Sequence, residues 1–448
     1  MKKISLVTAL ALAASSLSAA PIEELIKGAS IDGSAFFRYI SNSGRNAGGQ
    51  GFVSRVVADL NSGSIEGFSF NLGLFYHYGG TPTQGSKSDG NVGGSRATRD
   101  LFTTGGNAFG VSTLYGKYAF EASKTSIVAG KLKLATPITS AATDRGLGVQ
   151  VTNSDVSGLT MAAAFFDSWA ADHEYISGVM SVRGTTNPEV DTRGSSFGNN
   201  LSAVAFIGNY DPVTFQVWYF NADKLLNSVF GEIAIGSTYQ FKAQIAYTDM
   251  YNSPTLKLGY GGNYSGATRL AGPFFDGGAN GASARGLYTL QFSAKPIQEF
   301  GVRVGFVGSF ANGYGVSVNN EGAFSKGGKY WFDNWGDGRS GFSAFGDGGF
   351  DNTHINVWYL ALTSKVSIVD IGLDIAGISG KNHYTVDADK APNGDKITST
   401  NHGNRTFYEV TPSIDINITK QAKVTAYYAV VFGQINAQRF WTQMSYKF

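Results

Sequence analysis

Residues that could carry bond-making chemistry are sparse in this chain. Five histidines stand at positions 77, 173, 354, 383 and 402, and of these only His77 falls within an alternating, strand-like stretch. There is no His-Glu-x-x-His pair and no phosphate-cradling Walker loop. Cysteine is absent, which excludes a disulfide framework and thiolate metal sites. One run has ligand-like spacing: Asp387, Asp389, Asn393 and Asp395 place oxygen donors at intervals faintly like those of a calcium loop. Hydrated surface loops are routinely acidic, so calcium is a minor candidate and no other cofactor is expected. The remaining chemistry is electrostatic. Single arginines and lysines recur inside otherwise apolar alternating segments, notably Arg38, Arg55, Lys131, Arg303, Arg405 and Arg439. A charge in such a place needs a wet face to point at.

The elements that position these charges are β-strands. The final twelve residues show this best: Phe440, Thr442, Met444, Tyr446 and Phe448 share one parity, and Arg439, Trp441, Gln443, Ser445 and Lys447 the other. Alternate side chains of a strand point to opposite faces, so the chain ends on an amphipathic strand. Residues 67–78 repeat the pattern, with Phe68, Phe70, Leu72, Leu74, Tyr76 and Tyr78 on one face. Aromatics at both ends of an apolar face suit an interfacial girdle.

Composition narrows the class. Charged residues make up 15% of the 448 residues and aromatics 13%. The first nineteen residues read as a signal peptide: Lys2 and Lys3 precede an apolar run from Ile4 to Ala14, followed by small residues. Without Lys2 and Lys3 the formal charge of +2 falls to about zero, so nothing points to nucleic acid. No later stretch reaches the ~20 apolar residues of a membrane helix. Residues 20–448 therefore read as one all-β domain, with a short helix over 21–28 before the first strand.

The alternation predicts 18 strands: 31–41, 50–60, 67–78, 109–120, 124–134, 145–153, 158–169, 200–208, 213–221, 229–238, 242–250, 283–293, 299–310, 355–365, 368–378, 405–417, 421–432 and 437–448. Short turns alternate with long Gly-, Ser-, Asn- and Asp-rich connections, chiefly at 79–107, 170–199, 251–282, 311–354 and 379–404. That is the arrangement of a transmembrane antiparallel up-and-down β-barrel, with short periplasmic turns and long extracellular loops. About 16–18 strands enclose an aqueous channel. A plugged transporter needs ~22 strands and a domain ahead of the barrel, and there is no room for one here.

At this point the residues resemble a known family. Pro21-Ile22-Glu23-Glu24-Leu25-Ile26-Lys27 looks like the mature start of the Campylobacter-type, epsilonproteobacterial, major outer membrane porins. So do Gly130-Lys131 followed by Thr136, and the run from Gly148 to Thr160. The resemblance implies an 18-stranded outer-membrane porin, usually a homotrimer, that passes ions and small hydrophilic solutes by passive diffusion. Some members carry calcium at the constriction, but its ligands do not align here. The terminal aromatic strand also resembles the closing strand of bacterial outer-membrane barrels, which implies that Tyr446 and Phe448 form part of the signal read by the barrel assembly machinery. Other readings are a surface adhesin or receptor built on the same barrel and, further off, an outer-membrane enzyme.

Assigning the apolar faces to lipid turns the six basic residues named above into the lumen, together with His77, Lys117, Lys133, Gln150, Gln216, Gln244, Gln291, Glu409, Tyr427 and Gln443. At mid-depth a lipid-facing Lys or Arg costs ~2–4 kcal/mol. Asp144, Asp167 and Glu409 are the acidic candidates for the pore lining. Either the loop at 135–144 or the longer connection at 311–354 is expected to fold inward and narrow the channel.

Overall fold

The computed structural model describes residues 23, 25–44, 49–79, 107–171, 195–197, 200–223, 226–250, 282–316, 324–331, 352–383, 402–434 and 436–448. Among these residues nineteen strands run in order: β1 Ser30–Ser43, β2 Gly49–Asn61, β3 Phe68–Gly79, β4 Asn107–Ala119, β5 Thr125–Lys133, β6 Arg145–Asn153, β7 Leu159–Ala171, β8 Ser195–Phe197, β9 Leu201–Tyr210, β10 Val213–Ala222, β11 Leu226–Ile235, β12 Tyr239–Met250, β13 Ala284–Ile297, β14 Phe300–Ser309, β15 His354–Val366, β16 Val369–His383, β17 His402–Asn417, β18 Ala422–Gly433 and β19 Ala437–Lys447. Each strand pairs antiparallel with its sequence neighbour, save β8. That three-residue strand pairs only with the upper end of β7, while β9 takes the rest of β7 from Leu159↔Gly208 to Phe166↔Leu201. Eighteen strands therefore form the wall.

The wall closes where β1 meets β19, in register from Ser34↔Lys447 to Ser43↔Gln438. Closure removes both edges of the 18-stranded wall, so its ladder groups can be satisfied without water. The seam runs to the last residue: Gly33 N donates to Phe448 O at 2.9 Å and Phe448 N donates to Gly33 O at 3.1 Å. Gly33 is needed there, because a Cβ would stand 2.4 Å from the Phe448 ring.

Outward residues are large and apolar. Phe37, Phe52, Phe109, Val217, Ile245, Phe440 and Met444 are exposed, as an apolar band in lipid requires. The inward parity carries Arg38, Arg55, His77, Gln244, Gln291 and Glu409 among small and aromatic residues. Among the described residues the two larger apolar clusters lie inside the barrel, each where a loop lies against the wall. One joins Leu134 and Ile138 to Phe166, Trp169 and Phe220; the other joins Phe324, Tyr330 and Trp331 to Val307, Val357 and Phe407.

Two strand boundaries differ from the sequence expectation by about one turn. β11 starts at Leu226 and β12 at Tyr239, so the turn between them lies at 236–238 instead of 239–241. Gly236 takes φ +95° there, a conformation suited to glycine. The expected helix over 21–28 is described only in part, with residues 25–27 helical and Lys27 paired with Glu23 at 2.8 Å.

Candidate functional site, the channel constriction

Both connections named as candidates for the constriction turn inward. The first, residues 134–144, leaves β5 and buries Leu134 and Ile138 against the wall. Its turn is self-bonded: Thr139 Oγ1 donates to Leu134 O at 2.9 Å, and Asp144 Oδ2 accepts from Ser140 N at 2.8 Å. Two wall arginines then hold its carbonyls. Arg145 donates to Ala141 O, Ala142 O and Asp144 O and also to Ser112, while Arg55 Nη2 donates to Ala142 O at 2.6 Å. Charged donors to backbone acceptors are among the stronger protein hydrogen bonds, so the loop has little freedom to swing out.

The second connection carries residues 324–331 across the lumen. The turn at residues 329–331 is held by Glu409, which is fully buried on β17. The carboxyl group accepts from three successive backbone amides, of Lys329, Tyr330 and Trp331, and from Thr411 Oγ1 at 2.6 Å. Nearby, Asp374 Oδ2 accepts from Gly328 N at 3.1 Å. Arg439 stacks its guanidinium on the Tyr330 ring at 4.9 Å while its Nε donates to Asn42. Burial holds the Tyr330 phenol well above its ordinary pKa, with Arg439 acting in the opposite sense.

Between the two loops lies a chamber of about 960 Å³. Residues 135–141 form one side and residues 324–329 the other. The wall between them presents Gln216, Trp218, Phe230, Glu232, Lys242, Gln291, Arg303 and Asp374. Its lining thus combines basic, acidic and amide groups, which suits hydrated ions and small polar solutes.

The sequence-predicted site residues separate by role. Arg303 lines the chamber. Arg38 faces the lumen, bonded to Gln443 at 2.9 Å and stacked against Phe36 and Trp441. Arg405 shares its parity with Phe407 and Glu409, which are buried inside. Arg55 and Arg439 are buried against the loops they hold, so they shape the passage more than they line it. Asp144 is fully buried in its own loop turn and presents no carboxylate to the passage. Glu409 is likewise buried, as an anchor.

Two residues lie off the expected face. The register partners of Lys131 are Leu114 and Leu147, both exposed on the outer surface, and cross-strand partners share a face. Lys131 therefore points outward and donates to Val111 O. It stands near the end of β5, where a lipid-facing charge costs only ~0–1 kcal/mol. Asp167 occupies a bulge between β6 and β7 and is exposed, next to inward Phe166. Tyr446 and Phe448 stack near the seam, ring centroids 6.4 Å apart.

Sequence reasoning missed Glu232, Lys242, Lys326, Lys329 and Asp374. Glu232 and Lys242 sit on the two strands whose boundaries were misplaced, and no local signal draws the loop lysines inward. The calcium-spaced Asp387, Asp389, Asn393 and Asp395 lie outside the described residues. Among the described residues no three His, Asp or Glu side chains converge at the constriction. The two lining carboxylates are each beside a lysine, Glu232 with Lys242 at 3.6 Å and Asp374 with Lys329 at 3.8 Å.

A closed 18-stranded barrel with an apolar outer band and a polar, loop-narrowed lumen defines an outer-membrane porin. A sequence model of the Campylobacter major outer membrane protein matches residues 1–440, and the chain belongs to that family. A search of curated protein sequences gives no match. Among solved structures the chain is similar to OccD3 (OpdP) of Pseudomonas aeruginosa, with 11% identity, TM-score 0.54 and coverage of 95% of this chain and 92% of that one. It is also similar to OccK8 (OprE) of the same organism, with 13% identity, TM-score 0.57 and coverage of 95% and 99%. Acinetobacter baumannii OccAB2 matches with 14% identity, TM-score 0.57 and coverage of 95% and 99%. At these identities the likeness is one of fold.

Proposed function

We propose that the channel passes ions and small hydrophilic solutes by passive diffusion, without catalysis, and that the two inward loops set its size limit. The observation that carries this reading is the chamber of about 960 Å³ between residues 135–141 and 324–329. The protein is exported by a signal peptide over residues 1–19, is inserted by the barrel assembly machinery through Tyr446 and Phe448, and works as a homotrimer. Arg38, Arg303 and Arg405 form its basic wall.

The test is single-channel recording in a planar bilayer. Purified protein should give stepwise conductance in KCl, and liposome swelling should fall off with solute size. Folded, inserted protein without current would refute the channel reading. Light scattering in mild detergent tests the trimer, and a conducting monomer would refute it.

A further inference from the structure

The charges around the chamber are unevenly satisfied, and the pattern points to a ligand. Across the wall the inward residues run Glu232 on β11, Lys242 on β12, Gln291 on β13, Arg303 on β14 and Asp374 on β16. Lys242 stands directly opposite Gln291 in register. Gln291 pairs with Gly305, two residues along the same face from Arg303, so the three donors are direct or diagonal neighbours. Arg303 and Asp374 are separated by Ala361, which pairs with both.

The two carboxylates are already engaged. Glu232 accepts from Gln216 Nε2 at 3.1 Å and Gln244 Nε2 at 2.6 Å, and Lys242 stands back at 3.6 Å. Asp374 accepts from the backbone of Gly328, with Lys329 at 3.8 Å. Tight charge-assisted bonds are shorter than these lysine contacts, near 2.7–2.9 Å. Arg303 makes no ion pair among the described residues, and its buried Nε has no hydrogen-bond partner there. Tyr359 Oη donates to Gln291 Oε1 at 2.8 Å, which leaves the Gln291 amide nitrogen on the other side. Arg303, Gln291 and Lys242 are thus three neighbouring donors with too few acceptors among the described residues.

We infer that this trio is a binding subsite for the carboxylate group of small solutes in transit, so that the channel holds organic acids longer than neutral molecules of the same size. The inference rests on the porin reading. The planar guanidinium suits both oxygens of a carboxylate, while Lys242 and Gln291 add a point charge and an amide donor. The chamber is large enough for such a solute with its water.

The test compares N-acetylglycine, as its anion, with the neutral N-acetylglycinamide. Each is added to single channels in low KCl, where screening is weak. In the wild-type protein the acid should interrupt the KCl current at about tenfold lower concentration than the amide, as expected for one charged hydrogen-bonded contact. Arg303→Gln, and separately Lys242→Gln, should bring the acid to the level of the amide while KCl steps persist. Lys420→Gln, on a periplasmic turn, should keep the wild-type difference. Equal interruption by acid and amide in wild type, or an unchanged difference in Arg303→Gln, would overturn the inference and leave the porin reading standing. Absence of KCl steps from folded wild-type protein would overturn both.

Discussion

Replacing Glu409 by alanine should open the constriction without unfolding the barrel. The carboxyl group receives the amides of Lys329, Tyr330 and Trp331 and the hydroxyl of Thr411. Each hydrogen bond to a charged acceptor contributes ~1.5–3 kcal/mol, so the three amides alone suggest roughly 5–9 kcal/mol. Against this stands the desolvation of a buried carboxyl group, which costs several kcal/mol and is relieved by its removal. The balance is about 3 kcal/mol against the docked loop, which shifts the docked-to-released ratio by roughly two orders of magnitude. The wall should survive, because the backbone ladders from β17 to β16 and β18 do not depend on this side chain. The assay is single-channel recording beside heat-modifiability on gels. Glu409→Ala should give larger and noisier steps at normal folded yield, and Glu409→Gln an intermediate change, since one amide group cannot accept from every donor. Wild-type conductance and noise in folded Glu409→Ala would refute the idea that this carboxyl group holds the loop in the passage.

Other outcomes follow from the same contacts. Gly33→Val, like deletion of Phe448, should impair outer-membrane assembly while export continues, because the added side chain meets the Phe448 ring; normal folded levels would argue against the seam being critical. Ile138→Ala should cost about 2–5 kcal/mol of local packing under the first loop and add conductance substates, scored by channel recording. Arg38→Gln with Arg405→Gln should move the reversal potential in a salt gradient towards cations, most at low salt; no shift would place both off the conducting path. At the periplasmic turn, backbone Lys124 N and the Asn153 amide hold the Asp155 carboxylate below its ordinary pKa. The folded value is depressed, so its stabilisation is complete above the ordinary carboxylate pKa and is lost as pH falls through the lowered one. Asp155→Asn should therefore flatten the acid side of the thermal-stability profile.

The wall was legible because lipid imposes a strict period of two on it: outward residues from Phe37 to Met444 could be assigned by parity alone. The closing strand was clear for the same reason. Parity failed where the backbone departs from a plain ladder. Lys131 and Lys133 share a parity, yet Lys133 sits where β5 turns into the loop and reaches Asp59 at 2.7 Å, while Lys131 stays on the outer face. Asp167 fell in a bulge, which no residue type announces. The lumen was harder still. Arg55 and Glu409 sit among inward groups, and their partners are backbone carbonyls and amides of distant loops. Backbone groups are the same in every sequence, so nothing in the letters marked these two residues as anchors.

The seam between β1 and β19 has a consequence for how the chain comes into being. The hydrogen bond from Arg38 to Gln443 joins residues 405 positions apart, and the strands around it close the ring only when the last residue has been made. Until then β1 has one unpaired side, and so does whichever strand was made last. An unpaired strand side invites pairing with any passing chain. Local hairpins can form early, but the longest-range pairing has to come last and is slow to find. A nascent molecule therefore travels from synthesis to membrane with two sticky borders and no way to hide them. Only the pairing of β1 with β19 removes both borders at once.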